Sequence, residues 1–202
     1  MTTSTSSAPA TSPLVGDGHV CAWWLGPLLV SPLRRLIESP EKLLNPLVTP
    51  GMTVLEPGCG MGFFSLPIAR MVGPSGKVIC MDTQPRMIDG LIRRARRAGL
   101  LERIDASVCA ADELRLGALE GQADLAVVAH MVHEVADGES LLSQLSRALR
   151  PGARLLFTEP RGHVSREAFE RTIQAASRHE LIEKDRPITR RKLLAILEKA
   201  LG

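Results

Sequence analysis

A glycine-rich stretch near the first quarter of the chain constrains the fold most strongly. Gly58, Gly60 and Gly62 stand at alternate positions, directly after a short apolar run and the acid Glu56. Glycine allows positive φ and lets a ligand approach the main chain closely. A strand that ends in such a loop and leads into a helix forms a nucleotide-type pocket at its carboxyl end.

The glycine spacing differs from that of a dinucleotide site. Dinucleotide loops follow G-x-G-x-x-G, whereas here Phe63 occupies the position of the last glycine. Glu56, at the predicted strand end, is placed to accept hydrogen bonds from a cationic or hydroxyl-bearing ligand. An NAD-dependent oxidoreductase is therefore a less favoured alternative. Phe63 and Phe64 are expected to lie in the core and in the wall of the pocket.

Strands and helices alternate from residue 52 onward, which predicts an α/β fold with a doubly wound, mostly parallel sheet. The strands are expected at Met52–Glu56, Lys77–Met81, Ile104–Cys109, Asp124–Ala129, Arg154–Thr158 and Leu181–Glu183. Helices are expected over Gly62–Val72, from Pro85, after Asp137 as N-cap and after Ser165 as N-cap. The propensities of Arg191–Leu201 favour a helix.

The segment ahead of the sheet differs in composition. Residues 1–18 are rich in Ser, Thr, Ala and Pro and are predicted to be a disordered tail. Residues 19–50 are predicted to form a short helical extension that acts as a lid, and residues 51–202 the main domain. Trp23 and Trp24 are the only tryptophans, and they either cover the pocket or anchor this segment to the sheet.

Charge and composition exclude several classes of function. A net charge of +3 is too small to indicate a nucleic-acid partner. The apolar runs are shorter than the roughly 20 residues that span a bilayer, and the first residues lack the features of a signal peptide. The four cysteines form no C-x-x-C pair, so we expect reduced thiols in a cytoplasmic protein without stable membrane insertion. The sequence does not indicate an oligomeric state.

Polar residues follow the other predicted strands in a consistent order. Asp82 ends the second strand, where an acid can accept hydrogen bonds from both hydroxyls of a ribose. Ala111–Leu114 follows the third strand, and His130–Glu134 follows the fourth. Together with the loop of Glu56–Gly62, this order resembles that of class I S-adenosylmethionine-dependent methyltransferases of the type 11, ubiquinone/menaquinone-biosynthesis kind.

The resemblance covers residues 52–159 well and implies a Rossmann-like fold, with a last strand near Leu193–Leu197. It implies methyl transfer from S-adenosylmethionine to a small-molecule acceptor by in-line displacement. The donor's methionine part would contact the glycine loop, its ribose Asp82, and its adenine Asp112 and Glu113, while His130 would close the pocket. The expected cofactor-binding residues are Glu56, Gly58, Cys59, Gly60, Met61, Gly62, Asp82, Thr83, Met87, Asp112, Glu113 and His130. A domain that binds the donor without turnover is the main alternative.

Three further residues follow the ends of the fourth and fifth strands and are candidates for acid–base catalysis. His133, Glu159 and His163 would then lie at the active-site edge, where a neutral imidazole can take a proton from an acceptor. They could equally hydrogen-bond to one another and order the loops. His130, His133 and Glu134 superficially resemble a metal motif, but their spacing matches no zinc-enzyme pattern, so no metal is expected.

Overall fold

The computed structural model describes residues 38–114, 116–132, 135 and 137–201, together with Gly26, Val30, Ser31 and Arg34. Seven strands form one sheet: β1 (Thr53–Pro57), β2 (Lys77–Asp82), β3 (Ile104–Val108), β4 (Ala123–Ala129), β5 (Leu149–Pro160), β6 (Leu181–Asp185) and β7 (Lys192–Lys199). Five α-helices lie wholly within the described residues: α1 (Pro40–Leu44), α2 (Ser65–Met71), α3 (Pro85–Arg97), α4 (Gly138–Ala148) and α5 (Arg166–Arg178).

The strand order is β3-β2-β1-β4-β5-β7-β6, and only β7 is antiparallel to its neighbours. Helices α1, α2 and α3 pack on one face of the sheet, and α4 and α5 on the other. The predicted doubly wound, mostly parallel α/β fold is thereby confirmed. The order reverses between the adjacent strands β1 and β4, and a crevice for ligands forms at such a point.

The last strand shows where local propensity is misleading. Arg191–Leu201 has helical propensities, yet residues 192–199 form β7, as the family resemblance implies. This strand pairs with β5 along seven residues and with β6 on its other side. The hydrogen bonds and buried side chains of a strand between two others outweigh a preference of a few tenths of a kcal/mol per residue.

Element ends follow the predicted caps closely. The side chain of Asp137 accepts a hydrogen bond from Ser140 N at 2.9 Å, and that of Ser165 accepts one from Ala168 N at 3.1 Å. Two extents differ from prediction: α2 begins only at Ser65, after the turns of the glycine loop, and β5 begins at Leu149 and includes an irregularity opposite β4.

The N-terminal predictions fall mainly outside the described residues. The tail over residues 1–18, Trp23 and Trp24 all lie there. Within the described part, Ser39 caps the short helix α1, and no helix is both long and apolar enough to cross a bilayer.

We expect Phe169→Ala to lower the free energy of unfolding by about 3–5 kcal/mol, because the truncation leaves a cavity in the core. Phe169 is 1% exposed and stacks on Phe157 with ring centroids 4.7 Å apart. Urea denaturation measures the change, and Ile182→Ala serves as control because Ile182 is 44% exposed. Equal losses in the two variants would contradict this packing.

Candidate active site

A cavity of about 440 Å³ opens at the carboxyl edge of the sheet, at the β1/β4 reversal. Its volume falls in the range of small-molecule sites. Its wall combines the glycine loop after β1 with the ends of β2, β4 and β5 and part of the N-terminal segment. Nine of the predicted cofactor-binding residues line it: Glu56, Gly58, Cys59, Gly60, Met61, Asp82, Thr83, Met87 and His130.

The glycine loop needs glycine for two separate reasons. Gly58, Gly60 and Gly62 all have positive φ, between 53° and 83°. A Cβ at Gly62 would lie 2.5 Å from Leu91, so packing also excludes a side chain there, although Gly62 itself does not line the cavity. A Cβ at Gly60 would meet no protein atom within 4 Å. Gly60 therefore leaves open space in the cavity, where a ligand can approach the main chain.

Asp82 joins this loop to the end of β2. One carboxylate oxygen accepts a hydrogen bond from Gly60 N at 2.9 Å, and the other accepts one from Gln84 N at 2.9 Å. Burial raises the pKa of Asp82, and these backbone donors oppose the increase. A carboxylate has about four acceptor sites, so Asp82 keeps capacity for a ligand while it orders both loops.

Glu56 is buried at the end of β1 beside a thiol, with Cys80 Sγ 3.8 Å from its Oε2. Burial raises the pKa of Glu56 to about 8, and the nearby charge of Asp82 adds to this effect. At neutral pH the side chain is therefore mostly a neutral acid in the protein without ligand. A cationic ligand group beside it would favour the ionised form.

A further buried carboxyl group, that of Glu38, lines the cavity on the other side. His130 Nε2 lies 3.0 Å from its Oε1, Arg34 donates to its Oε2 at 3.2 Å, and Lys192 forms an ion pair with it. Burial alone would raise the pKa of Glu38, but the hydrogen bonds and charges of His130 and Lys192 lower it to about 2. Glu38 thus remains a carboxylate with three basic partners.

His130 is held in an unusual backbone conformation at the end of β4. Its φ is +58°, which is uncommon for a residue with a side chain, and its N–H donates to Thr158 O of β5 at 2.9 Å. The ring lies 6.3 Å from that of Phe64, between centroids. Strain of this kind persists where the surrounding structure requires it, and here it directs the imidazole to Glu38.

The N-terminal segment contributes wall residues that no sequence pattern predicted individually. Val30, Arg34 and Glu38 line the cavity, and the Arg34 guanidinium lies 4.0 Å above the ring of Phe63. A Cβ at Gly26 would lie 2.5 Å from the Met61 side chain, which shows that Gly26 lies against the glycine loop. No local motif indicated Glu38, because two of its three partners, His130 and Lys192, are distant in sequence.

Other predicted residues lie elsewhere. Asp112 and Glu113 are exposed and line a separate surface depression, whereas Ala111 and Leu114 on either side of them face the main cavity. Gln144 fixes this stretch by donating to Asp112 O at 2.9 Å and accepting from Leu114 N at 2.8 Å. The role of the two acids toward adenine remains a prediction.

Of the three candidate acid–base residues, the structure describes His163 and Glu159. His163 lines the cavity. Glu159 is fully buried in β5 and its Oε1 accepts a hydrogen bond from Val132 N at 2.9 Å, so it braces the loop after β4. His133 lies outside the described residues.

Comparison with known families agrees with this arrangement. A family model described as a methyltransferase domain matches residues 48–200, which include all seven strands and the cavity loops. The chain belongs to this methyltransferase family. The resemblance to class I S-adenosylmethionine-dependent methyltransferases is thereby confirmed.

Individual curated relatives match about half of this chain at moderate sequence identity. The chain is 34% identical over 111 residues to an uncharacterized 37.1 kDa protein in a transposon of Streptomyces fradiae, covering 55% of this chain and 31% of that protein. It is 27% identical over 124 residues to the ubiquinone/menaquinone biosynthesis C-methyltransferase UbiE of Shewanella oneidensis, and the match covers 60% of this chain and 49% of that protein. The chain thus spans half or less of the length of these curated relatives.

Among solved structures, the fold is similar to that of a SAM-dependent methyltransferase from Aquifex aeolicus. The TM-score is 0.80 at 21% identity, and the match covers 90% of this chain and all of the other. At this identity the similarity concerns the fold of the methyltransferase domain.

We expect Glu38→Gln to lower the free energy of unfolding by about 1–3 kcal/mol at neutral pH, because a neutral amide cannot balance three basic neighbours. The pKa of Glu38 is depressed from 4.5 to about 2, so its stabilising contribution is complete above 4.5 and declines as the pH falls toward 2. The difference in the free energy of unfolding between the wild type and Glu38→Gln should therefore become smaller as the pH falls over that range.

Chemical denaturation at several pH values measures this effect. Glu102→Gln is the matched control, because Glu102 is exposed and should change stability by less than about 0.5 kcal/mol. A Glu38→Gln protein as stable as the wild type at neutral pH would show that the ion pairs contribute nothing.

Proposed function

We propose that this chain transfers a methyl group from S-adenosylmethionine to a small-molecule acceptor by in-line displacement. The observation that carries the proposal is the convergence of Glu56, the glycine loop and Asp82 on one cavity at the strand-order reversal of a methyltransferase-family domain. The cavity volume and the open space at Gly60 are compatible with a nucleoside-sized ligand.

Each end of the donor has a matching group. Asp82, already oriented by two backbone donors, accepts hydrogen bonds from the ribose hydroxyls. The buried Glu56 carboxyl accepts from the amino group of the methionine part. Cys109, Ala110, Ala111 and Leu114 line the cavity and offer a surface for adenine, whereas Asp112 and Glu113, the residues first expected to contact it, line a separate depression.

The protein's task in this reaction is mainly one of placement. When bound, S-adenosylmethionine supplies a methyl group that its sulfonium already activates. The cavity wall excludes water and aligns the acceptor, which is how a protein lowers the barrier of such a displacement. His163 lines the cavity and is a candidate to take a proton from the acceptor. His133 and Glu159 remain candidates on sequence grounds.

Residues 19–50 are proposed to act as a lid over this cavity. The support is that Val30, Arg34 and Glu38 line the cavity and Gly26 touches Met61 of the glycine loop. Trp23 and Trp24 are proposed to belong to the same cover. A lid of this kind orders the acceptor site and excludes water.

The cellular location is proposed to be cytoplasmic. The competing function is that of a domain that binds the donor without turnover. Membership of the family is compatible with both functions. Assays of donor binding and of methyl transfer on the same protein distinguish them.

We expect calorimetry to show binding of S-adenosylmethionine and S-adenosylhomocysteine and no binding of NAD, because the loop spacing and the placement of Glu56 suit the former. A methyl-release assay against thiols, amines and phenols then distinguishes an enzyme from a binding module. Binding of NAD alone would refute the proposal.

We expect Asp82→Ala to weaken S-adenosylhomocysteine binding by about 1–3 kcal/mol, since the ribose hydroxyls and Gly60 N lose their acceptor. Asp89→Ala is the control, because Asp89 is exposed on α3. An unchanged dissociation constant for a folded Asp82→Ala protein would limit Asp82 to ordering the two loops.

We expect the affinity for S-adenosylmethionine to rise with pH up to about 8, because Glu56 must lose its proton to face a cation and its pKa in the free protein is about 8. Near neutral pH, binding should release about one proton. Calorimetry in buffers of different ionisation enthalpy counts it. Glu56→Gln should abolish the release, and equal release from both proteins would contradict the assignment.

A further inference from the structure

Acidic side chains line one end of the cavity, and basic side chains line the other end. The carboxyls of Glu56 and Asp82 lie at the ends of β1 and β2. Arg34, His130 and His163 line the opposite end, next to β4 and β5. If the proposed function holds, the cationic donor occupies the acidic end, and the acceptor meets the basic end.

More basic groups stand behind this end of the cavity. Pro160 lines the cavity and pairs with Lys192 across the β5/β7 ladder. The adjacent Arg161 donates its N–H to Arg191 O at 3.1 Å and its Nε to Lys192 O at 3.1 Å. These contacts hold the main chain of Arg161 and Arg191 beside Pro160, at the margin of the cavity, although neither residue is part of its lining.

The described carboxylate that lines this end already has basic partners. Among the described residues that line it, Glu38 carries the carboxylate, and Arg34, His130 and Lys192 already bind it. The side chains of Arg161 and Arg191 are exposed, and within the described structure neither forms an ion pair with an acid. Uncompensated guanidinium groups at a cavity mouth attract anions and suit planar carboxylates and phosphates.

The wall between the two charged ends is apolar. The rings of Phe63 and Phe64 lie 5.3 Å apart between centroids, and they contact Arg34 and His130 respectively. Val30 and Met131 add aliphatic surface. A ligand that extends from the donor toward the mouth would therefore place an apolar part against these side chains.

We propose that the methyl acceptor is an amphipathic acid, with an apolar body between Phe63 and Met131 and a carboxylate or phosphate bound by Arg161 and Arg191 at the mouth. The proposal rests on the proposed function, because it assumes that the donor occupies the acidic end. The anionic group anchors and orients the acceptor, and it sets a preference against neutral or cationic molecules of the same shape.

Binding of simple amphiphiles to the full chain saturated with S-adenosylhomocysteine tests this proposal. Octyl phosphate, octanol and octyltrimethylammonium share one chain and differ in charge, and calorimetry compares their dissociation constants. We expect octyl phosphate to bind at least roughly tenfold more tightly than the other two, as for a charge-assisted contact. Arg161→Gln with Arg191→Gln should remove most of that preference.

The control is the double variant Arg93→Gln with Arg97→Gln, which removes two exposed arginines of α3 and the same net charge. It should leave octyl phosphate binding unchanged, and both double variants should bind S-adenosylhomocysteine normally. Equal binding of the three amphiphiles, or equal losses in both variants, would overturn the proposal. Failure of S-adenosylhomocysteine binding itself would instead refute the proposed function.

A lipid surface is the other source of the same chemistry, because Ile188, three residues before Arg191 in sequence, is almost fully exposed. Sedimentation with phosphatidylglycerol vesicles, in the absence of monomeric octyl phosphate binding, would assign the arginines to a membrane and overturn the free-acid proposal. Binding of monomeric octyl phosphate without vesicle association would support it.

Discussion

The carboxylate of Asp82 joins the two loops on which the cavity depends. It accepts hydrogen bonds from Gly60 in the loop after β1 and from Gln84 at the start of α3, so one side chain sets the distance between them. The loop can approach Asp82 because its glycines adopt positive φ. The parallel pairing of β1 with β2 brings the two strand ends to the same edge, and without that pairing the contact could not form.

Glu38 has a comparable role on the other side of the cavity. It lies ahead of the sheet in sequence, yet its partners are His130 after β4 and Lys192 at the start of β7. A carboxylate that is 6% exposed is costly unless several donors surround it, and removal of any one partner leaves the others less balanced. Glu38, in the N-terminal segment, is thereby tied to the end of β4, which lines the site, and to the start of β7.

The two ends of the cavity hold carboxyl groups in opposite states. Burial keeps Glu56 protonated near neutral pH, with a pKa of about 8, whereas basic neighbours keep Glu38 ionised, with a pKa of about 2. A cationic donor can therefore ionise Glu56 as it binds, while the charge at Glu38 is fixed in advance. The two ends of the cavity therefore differ in the ionisation state of their carboxyl groups, which supports the view that donor and acceptor bind at chemically different ends.

The sequence by itself determined the alternation of strands and helices, the glycine loop and the positions of Glu56 and Asp82, because each depends on short-range patterns or on turns that follow a strand. The caps at Asp137 and Ser165 were predictable for the same reason. Tertiary structure decided the rest. Residues 192–199 became a strand only because β5 and β6 offered partners, and Glu38 entered the site only because residues 92 and 154 positions away converge on it. Asp112 and Glu113 line a separate depression, and Gln144 on α4 holds the main chain of Asp112 and Leu114 there, a contact that no local pattern encodes.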